Sequence, residues 1–350
     1  MGLHVDIKKK VPQFSLDVAF DLDQDHEILA LLGASGCGKS MTLKCIAGVI
    51  TPDEGEIILN GRVLYSSEKG INLPPQERHI GYLFQQYALF PKMNVIQNVM
   101  CAILEGGKQE RRAEAQEALR VMHVDDLADK MPHELSGGQQ QRVAMARIFA
   151  SSPDIILLDE PLSALDSFLR WQLELELMEQ LKRFPGAIFV SHNRDEVAHI
   201  CQNVVIIHKG NSQPKIKVDT MFDNPGTYGA AVISGCKNFS DARVIDSETL
   251  ECDQWGVELK TSCPISDNVS RVGLRAHHFS AHGNVNPIAC KVKQVIPAPF
   301  TTIIILTTSA GGELRWECDK KYWESLDNPT DIVLYIDPAH VMPLEVSRER

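Results

Sequence analysis

The eight residues GASGCGKS, Gly33 to Ser40, follow directly on the apolar run EILALL. Glycines so closely spaced let a chain curl through conformations that other residues resist. The stretch fits G-x-x-x-x-G-K-[ST] through Gly33, Gly38, Lys39 and Ser40. With a strand before it and a helix after it, such a loop turns its amides inward beneath a helix N-terminus and cradles an anion with several oxygens. On this reading Gly33, Ala34, Ser35, Gly36, Cys37, Gly38 and Met41 wrap the phosphates of a nucleotide, Lys39 neutralises β/γ oxygens, and Ser40 ligates Mg²⁺. A chance match in a glycine-rich turn is the competing reading, and the flanking strand and helix patterns argue against it.

At 350 residues the chain is long for one compact unit, so two domains are expected. A net charge of −11 argues against a general nucleic-acid binder, since phosphate backbones are held by surplus lysine and arginine. The nine cysteines show no C-x-x-C pair and no zinc-like spacing, which points to a reducing compartment without a disulfide framework. MGLHVDIKKKVPQF has a basic cluster but no long apolar stretch, so no signal peptide is expected. No apolar run approaches the roughly 20 residues of a spanning helix, and a membrane role would be peripheral.

Strand and helix signals alternate over the first two thirds. EILALLG, PDIILLDE and AIFVSH read as buried parallel strands. SMTLKCIAGVI, QERRAEAQEALRVM, GGQQQRVAMARIFASS and SFLRWQLELELMEQLKRF read as helices, giving an α/β plan. After about residue 211 the texture changes: breaker-rich NSQPKIKVDTMFDNPGTYG leads into short β-like runs such as GVELKT, TTIIILTT and DIVLYI, the spacing of a small barrel or sandwich. The boundary is placed at 235/236.

IILLDE puts Asp159 at the carboxyl end of a buried strand, where ligands of parallel sheets gather, and Glu160 beside it is suited to polarise a water. Taken alone, Asp159 reads equally well as a helix N-cap carboxylate.

Further motifs carry a resemblance. ELSGGQQQRVAMAR, from Glu134 to Arg147, contains LSGGQ; YLFQQYALFP precedes it, and IILLDEP, SALD and VSHN follow it. In this order, over about residues 1 to 235, the chain resembles the nucleotide-binding subunits of ABC transporters. The resemblance implies a P-loop NTPase fold, ATP and Mg²⁺ as ligands, and a head-to-tail homodimer in which the phosphate loop of one copy faces Ser136, Gly137, Gly138 and Gln139 of the other. It also implies that Gln85 senses metal and water, that Asp166 lies in the D-loop, and that His192 contacts the γ-phosphate, with Glu160 as base and Asp159 as a metal anchor. His192 alone would read as a core imidazole, and Gln85 as an exposed loop residue. An adenine-stacking aromatic is expected upstream of the loop, with Phe14 the nearest candidate at short spacing. His26 stands in a turn position commonly held by glycine.

The segment QQYALFPKMNVIQNV is similar to the groove region of importer ATPases, which receives a short cytoplasmic helix of a permease. Residues 236–350 resemble a C-terminal β-barrel regulatory domain of the oligonucleotide-fold type, closest in texture to molybdate-importer ATPases. The implied role is ATP hydrolysis coupled to oxyanion uptake, molybdate first with tungstate or sulfate as variants. The assembly would sit on the cytoplasmic face of the membrane with permease subunits and, indirectly, an extracytoplasmic solute-binding protein. A regulatory oxyanion at the C-terminal domain would meet Lys237, Arg275, His277 or His278. Sugar, polyamine or iron(III) import is the alternative, and a soluble non-transport ATPase the distant one.

Overall fold

Apolar runs of five or six residues have no polar face to give to water, so they settle inside a sheet covered on both sides. The sequence holds three, and the computed structural model, which describes residues 2–12, 14–23, 26–84, 87–163 and 167–345, sets them side by side. The chain divides into two compact units, Met1–Val218 and Asp219–Arg350.

In chain order the first unit contains β1 (Leu3–Val11), β2 (Phe14–Leu22), β3 (Glu27–Leu32), α1 (Lys39–Ile46), β4 (Glu54–Leu59), β5 (Arg62–Ser66), β6 (Ile71–Asn72), β7 (Ile80–Leu83), α2 (Val95–Met100) and α3 (Lys108–Val121). It continues with α4 (Gly137–Ala150), β8 (Ile155–Asp159), α5 (Ser167–Leu181), β9 (Gly186–Val190), α6 (Arg194–Ile200), β10 (Asn203–His208), β11 (Asn211–Ser212) and β12 (Ile216–Lys217). One sheet runs in the order β6-β5-β4-β1-β2-β11-β10-β3-β9-β8-β7. Its half from β10 to β7 is parallel, and β3, β8 and β9 are buried at every position.

The α/β plan read from the sequence describes that half. The other half is an antiparallel wing of β1, β2, β4, β5 and β6, which continuous apolar runs do not signal. β1, LHVDIKKKV, alternates instead: Leu3, Val5 and Ile7 are buried while Asp6 and Lys8 are exposed.

Helix α1 stops at Ile46, short of the apolar pattern that reaches Ile50, because Gly48 takes a φ of +79° and the chain turns back so that the Val49 and Ile50 amides both reach Lys44 O. Arg78 seals this end. Its guanidinium, 1 % exposed, donates to Cys45 O at 3.0 Å, Ile46 O at 2.7 Å, Leu73 O at 2.8 Å and Asn72 Oδ1 at 2.9 Å. A cation at a helix C-terminus also meets the negative end of the helix dipole.

Helix α7 (Val218–Asp223) starts on the last residue of the first unit and leads into the second, which continues with α8 (Tyr228–Ile233) and is otherwise mostly β. Its strands are β13 (Asn238–Val244), β14 (Thr249–Cys252), β15 (Val257–Lys260), β16 (Val269–Leu274), β17 (Ile288–Pro297), β18 (Thr301–Thr308), β19 (Glu313–Asp319), β20 (Asp331–Leu334) and β21 (Met342–Glu345), with the short α9 (Lys320–Ser325) after β19. They form two antiparallel sheets, β15-β14-β13-β16-β21 and β19-β18-β17-β20, in keeping with an oligonucleotide-fold-like barrel. The core is built on Trp255, Trp316, Trp323 and Phe279, and Trp316 Nε1 donates to Phe279 O at 3.1 Å. Asn238 ties the sheets together by donating to Leu274 O and Arg315 O and accepting from the Arg315 amide.

The division at Val218/Asp219 falls earlier than the 235/236 boundary read from texture. The intervening segment is bonded into the β-rich unit: buried Arg275 donates to Ser234 O, Ser234 Oγ and Phe222 O, and the Glu345 amide donates to Gly226 O. Composition registers the breakers in that segment but not the arginine, some forty residues downstream, that holds it.

Two predictions follow from these buried groups. Replacing Arg78 by Met removes its buried hydrogen bonds to Cys45 O, Ile46 O, Leu73 O and Asn72 Oδ1 and is expected to cost about 3 kcal/mol or more, read as a lowered urea midpoint. His278 stacks on His340 at 3.8 Å and meets His277 edge-on at 4.4 Å, and its Nδ1 has no partner among the described residues. Burial, helped by the charges of His340, His277 and Arg275, holds its pKa down at about 4. The folded state therefore binds fewer protons than the unfolded chain below about pH 6.5, and stability of the second unit is lost as pH falls from there toward 4. Melting followed by tryptophan fluorescence, dominated by the buried Trp255, Trp316 and Trp323, is expected to drop between pH 7 and pH 5 and to flatten in His278→Gln.

Candidate functional site

Strands β3, β9 and β8 are parallel neighbours, so their carboxyl ends open on one edge of the sheet. The phosphate loop follows β3, Ser191 and His192 follow β9, and Asp159 and Glu160 end β8. A cavity of about 410 Å³ opens there, lined by Ser35, Gly36, Lys39, Ser40, Glu160 and His192 among others, with Asp159 reaching it through its bond to Ser40. Phe14, Met41 and Gly38 also line it, which puts the aromatic candidate at the site despite its short spacing.

The loop depends on its glycines. Gly36 and Gly38 have φ of +78° and +114°, and a β-carbon on Gly38 would lie 2.5 Å from Leu16 Cδ1 and 3.0 Å from Phe14 Cζ. Lys39, 5 % exposed, donates from Nζ to Gly33 O at 2.8 Å and Ala34 O at 3.0 Å. Cys37 is buried and does not line the cavity; its thiol packs beneath the loop, where a β-carbon on Gly33 would come within 2.4 Å of Sγ. Cys37 thus belongs to the loop through its backbone.

Ser40 Oγ donates to Asp159 Oδ1 at 3.0 Å, and Tyr82 OH makes a longer contact with Oδ2 at 3.4 Å. Asp159 is 4 % exposed, and burial pushes its carboxyl pKa up against the Ser40 hydrogen bond, with the neighbouring Glu160 charge pushing the same way. A buried carboxylate in that position gains by exchanging a proton for a divalent cation, and carboxylate plus hydroxyl are the hard oxygens that Mg²⁺ takes. Among the described residues no group of three or more His, Cys, Asp or Glu would hold a metal unaided, so phosphate and water would complete the shell. These contacts also displace the helix-cap reading of Asp159.

Glu160 sits in the left-handed region at φ 54°, rare for a residue with a side chain, and is pinned there. Its amide donates to Val190 O at 2.9 Å, and Ser163 Oγ donates to its carbonyl at 2.9 Å. The strained turn aims the carboxylate at His192, whose Nε2 lies 2.6 Å from Glu160 Oε1.

Ser136, Gly137, Gly138 and Gln139 are not part of this cavity. They start α4, with Ser136 as N-cap in a reciprocal pair: the Gln139 amide donates to Ser136 Oγ at 3.3 Å and the Ser136 amide to Gln139 Oε1 at 2.9 Å. Gly137 is exposed, and a β-carbon there would meet nothing within 4 Å. Gln85 and Asp166 lie outside the described residues.

A second cavity, about 550 Å³, is lined by Tyr82, Phe84, Phe90, Met93, Cys101 and Arg147 among others. Arg147, on α4, donates to Tyr87 O and Ala88 O at 3.0 and 2.9 Å and lies 5.6 Å from the centre of the Phe90 ring. Phe90 and Met93 fall in QQYALFPKMNVIQNV, the segment read above as a groove, whereas nothing in the sequence marks Tyr82 or Arg147 as part of it. Tyr82 enters because β7 pairs with β8, and strand order is invisible to hydrophobic periodicity.

The pattern of the family described as ABC transporter matches residues 16–163. The chain is 39% identical over 286 residues to the Fe(3+) ions import ATP-binding protein FbpC of Haemophilus influenzae, covering 80% of this chain and 80% of the relative. It is 31% identical over 346 residues to the sulfate/thiosulfate import ATP-binding protein CysA of Burkholderia mallei, covering 93% and 94%. Among solved structures, an ATP-binding cassette in a dimeric post-hydrolysis state bound to ADP and Pi superposes with a TM-score of 0.55 at 27% identity, covering 62% of this chain and 99% of that one. With a phosphate loop, a buried carboxylate and a strained glutamate on one sheet edge, and relatives that match most of its length, this chain belongs to the ABC transporter family and is an ATP-hydrolysing, ATP-binding subunit of its importers.

Proposed function

We propose that two copies close head to tail over two ATP molecules on the cytoplasmic face of a membrane, and that closure works a permease supplied by an extracytoplasmic solute-binding protein. The observation that carries this reading is the incompleteness of each copy. The phosphate loop, Glu160 and His192 share one cavity, while the amino end of the 14-residue helix α4, with Ser136 and Gly138, stands apart from it. The amino end of a helix carries the positive pole of its dipole and suits an anion, and a second copy's γ-phosphate fits it.

In the closed pair Lys39 exchanges two neutral carbonyls for anionic β/γ oxygens, a stronger class of hydrogen bond. Ser40 and Asp159 would hold Mg²⁺, which when bound would spread the charge of the phosphates. Glu160 accepts a proton from water as the water oxygen bonds to Pγ and the bond from Pγ to the bridging oxygen breaks, leaving ADP and Pi. His192 steadies the γ-phosphate and the carboxylate beside it. Phe14 offers a face to adenine. Gln85 and Asp166 keep the roles the family resemblance assigns. The apolar cavity around Phe84, Phe90 and Met93 receives a short helix of the permease.

For cargo we favour a small oxyanion, molybdate, tungstate or sulfate. The support is that the sulfate/thiosulfate relative matches 93% of the chain, through the second unit as well as the first. Iron(III) is the second reading, favoured by the 39% identity of the Fe(3+) relative. As contacts for a regulatory anion, Lys237 and His277 are exposed, whereas Arg275 is withdrawn because its guanidinium is already engaged by Ser234 and Phe222.

Three measurements separate these readings. Glu160→Gln is expected to lower kcat by about 100-fold or more while ATP still binds; retained turnover would remove Glu160 as the base. Gly137→Val meets open space in a single copy, so its unfolding free energy in urea is expected to stay within about 0.5 kcal/mol of the parent while ATP turnover collapses. ATPase activity of the reconstituted transporter, titrated separately with molybdate, tungstate, sulfate and iron(III) on its binding protein, assigns the cargo.

A further inference from the structure

The turn that carries His192 rests on an acid to which the hydrolytic mechanism gives no part. Glu196, in the first turns of α6, is 4 % exposed. Ser191 Oγ donates to its Oε2 at 2.5 Å, and Asn193 Nδ2 donates to its Oε1 at 3.3 Å. The Asn193 amide in turn donates to Ser191 Oγ at 3.0 Å, while Asn193 Oδ1 accepts from the Asp195 amide at 2.9 Å. Arg170 Nε lies 3.8 Å from Oε1.

Burying a carboxylate is costly, and an apolar side chain of similar size would fill the same space without that cost. An apolar side chain would not supply two acceptors, one for the residue before His192 and one for the residue after it. Glu196 bonds both neighbours of the histidine and leaves its imidazole, half exposed, with Nε2 at 2.6 Å from Glu160. The staple grips the side chains of Ser191 and Asn193, and through the Asn193 amide bonded to Ser191 Oγ it constrains the turn and where the ring stands.

We infer that Glu196 is a positioning residue for hydrolysis: its carboxylate clamps Ser191 and Asn193 and thereby holds His192 in register with Glu160. This rests on the proposed action of His192 at the γ-phosphate. Nucleotide is gripped by the loop after β3, and among the described residues the bonds of this clamp stay within Ser191, Asn193, Asp195 and Arg170, so the clamp bears on turnover and not on binding.

Glu196→Gln keeps the shape but leaves one acceptor where the carboxylate had two, so either Asn193 Nδ2 meets a second donor or, with the amide flipped, the Ser191 hydroxyl loses its acceptor. Adding Asn193→Asp restores a hydrogen bond with its polarity reversed and conserves net charge, while the second carboxylate oxygen still caps the Asp195 amide. In steady-state ATP hydrolysis by the full chain, Glu196→Gln is expected to lower kcat about 10- to 100-fold, the scale of a misplaced reacting group, with KM for MgATP within about twofold. The double variant is expected to recover to within about threefold of the parent, and Glu196→Gln is expected to add no further loss in a His192→Ala background. Parental kcat in Glu196→Gln, a loss the second substitution does not repair, or an equal loss without His192 would overturn the inference. Parental turnover in His192→Ala would instead remove the role of the histidine, and the inference with it. Should Glu196→Gln fail to fold, Ser191→Ala carries the same test: lowered kcat at unchanged KM supports the clamp, and parental kcat refutes it.

Discussion

The parallel register of three strands is the constraint from which the site follows. Val190 of β9 pairs with Leu31 of β3 on one side and Asp159 of β8 on the other, so the chain leaves all three strands at one level. The next residues out are the phosphate loop, Ser191 with His192, and Glu160, whose amide is itself bonded to Val190 O. A slip of one residue would send Asp159 to the opposite face of the sheet and separate it from Ser40. Burial of β3, β8 and β9 at every position makes such a slip costly, so the apolar core and the chemistry are set by the same interaction.

Onto that edge the fold brings charges that are poorly compensated by one another. Lys39 leans on carbonyls, Asp159 on a hydroxyl and a distant phenol, and Glu160 on a half-exposed imidazole. A nucleotide with its cation supplies the missing partners of both signs, which links substrate binding to relief of burial costs already present in the fold. The remaining phosphate contacts would come from a helix start that the same chain carries elsewhere. A site divided in this way has reason to act only when two copies meet, and closure becomes something ATP can drive.

Much of this is legible in the sequence because it rests on local rules. The phosphate loop is a matter of glycine spacing, β8 and β9 are unbroken apolar runs, and α3, α4 and α5 show helical periodicity over fourteen or fifteen residues. What is not legible depends on partners distant in sequence. The antiparallel wing is hidden because β1 alternates polar and apolar residues. The boundary at Val218 depends on Arg275 reaching back to Phe222 and Ser234. Tyr82 reaches Asp159 only because β7 and β8 are neighbours. Glu196, only four residues beyond His192, is equally hidden, since nothing in RDEVAHI says which acid of that helix is buried.

The shared pocket is tested most directly by mixing lesions. Copies carrying Lys39→Ala and copies carrying Gly137→Val should each be nearly inactive alone, since every pocket lacks one wall. Combined in equal amounts, half of the pairs would be mixed and each mixed pair would hold one whole pocket, so turnover is predicted to rise to about a quarter of the parental rate. Turnover that stays at the sum of the two separate variants would contradict the account.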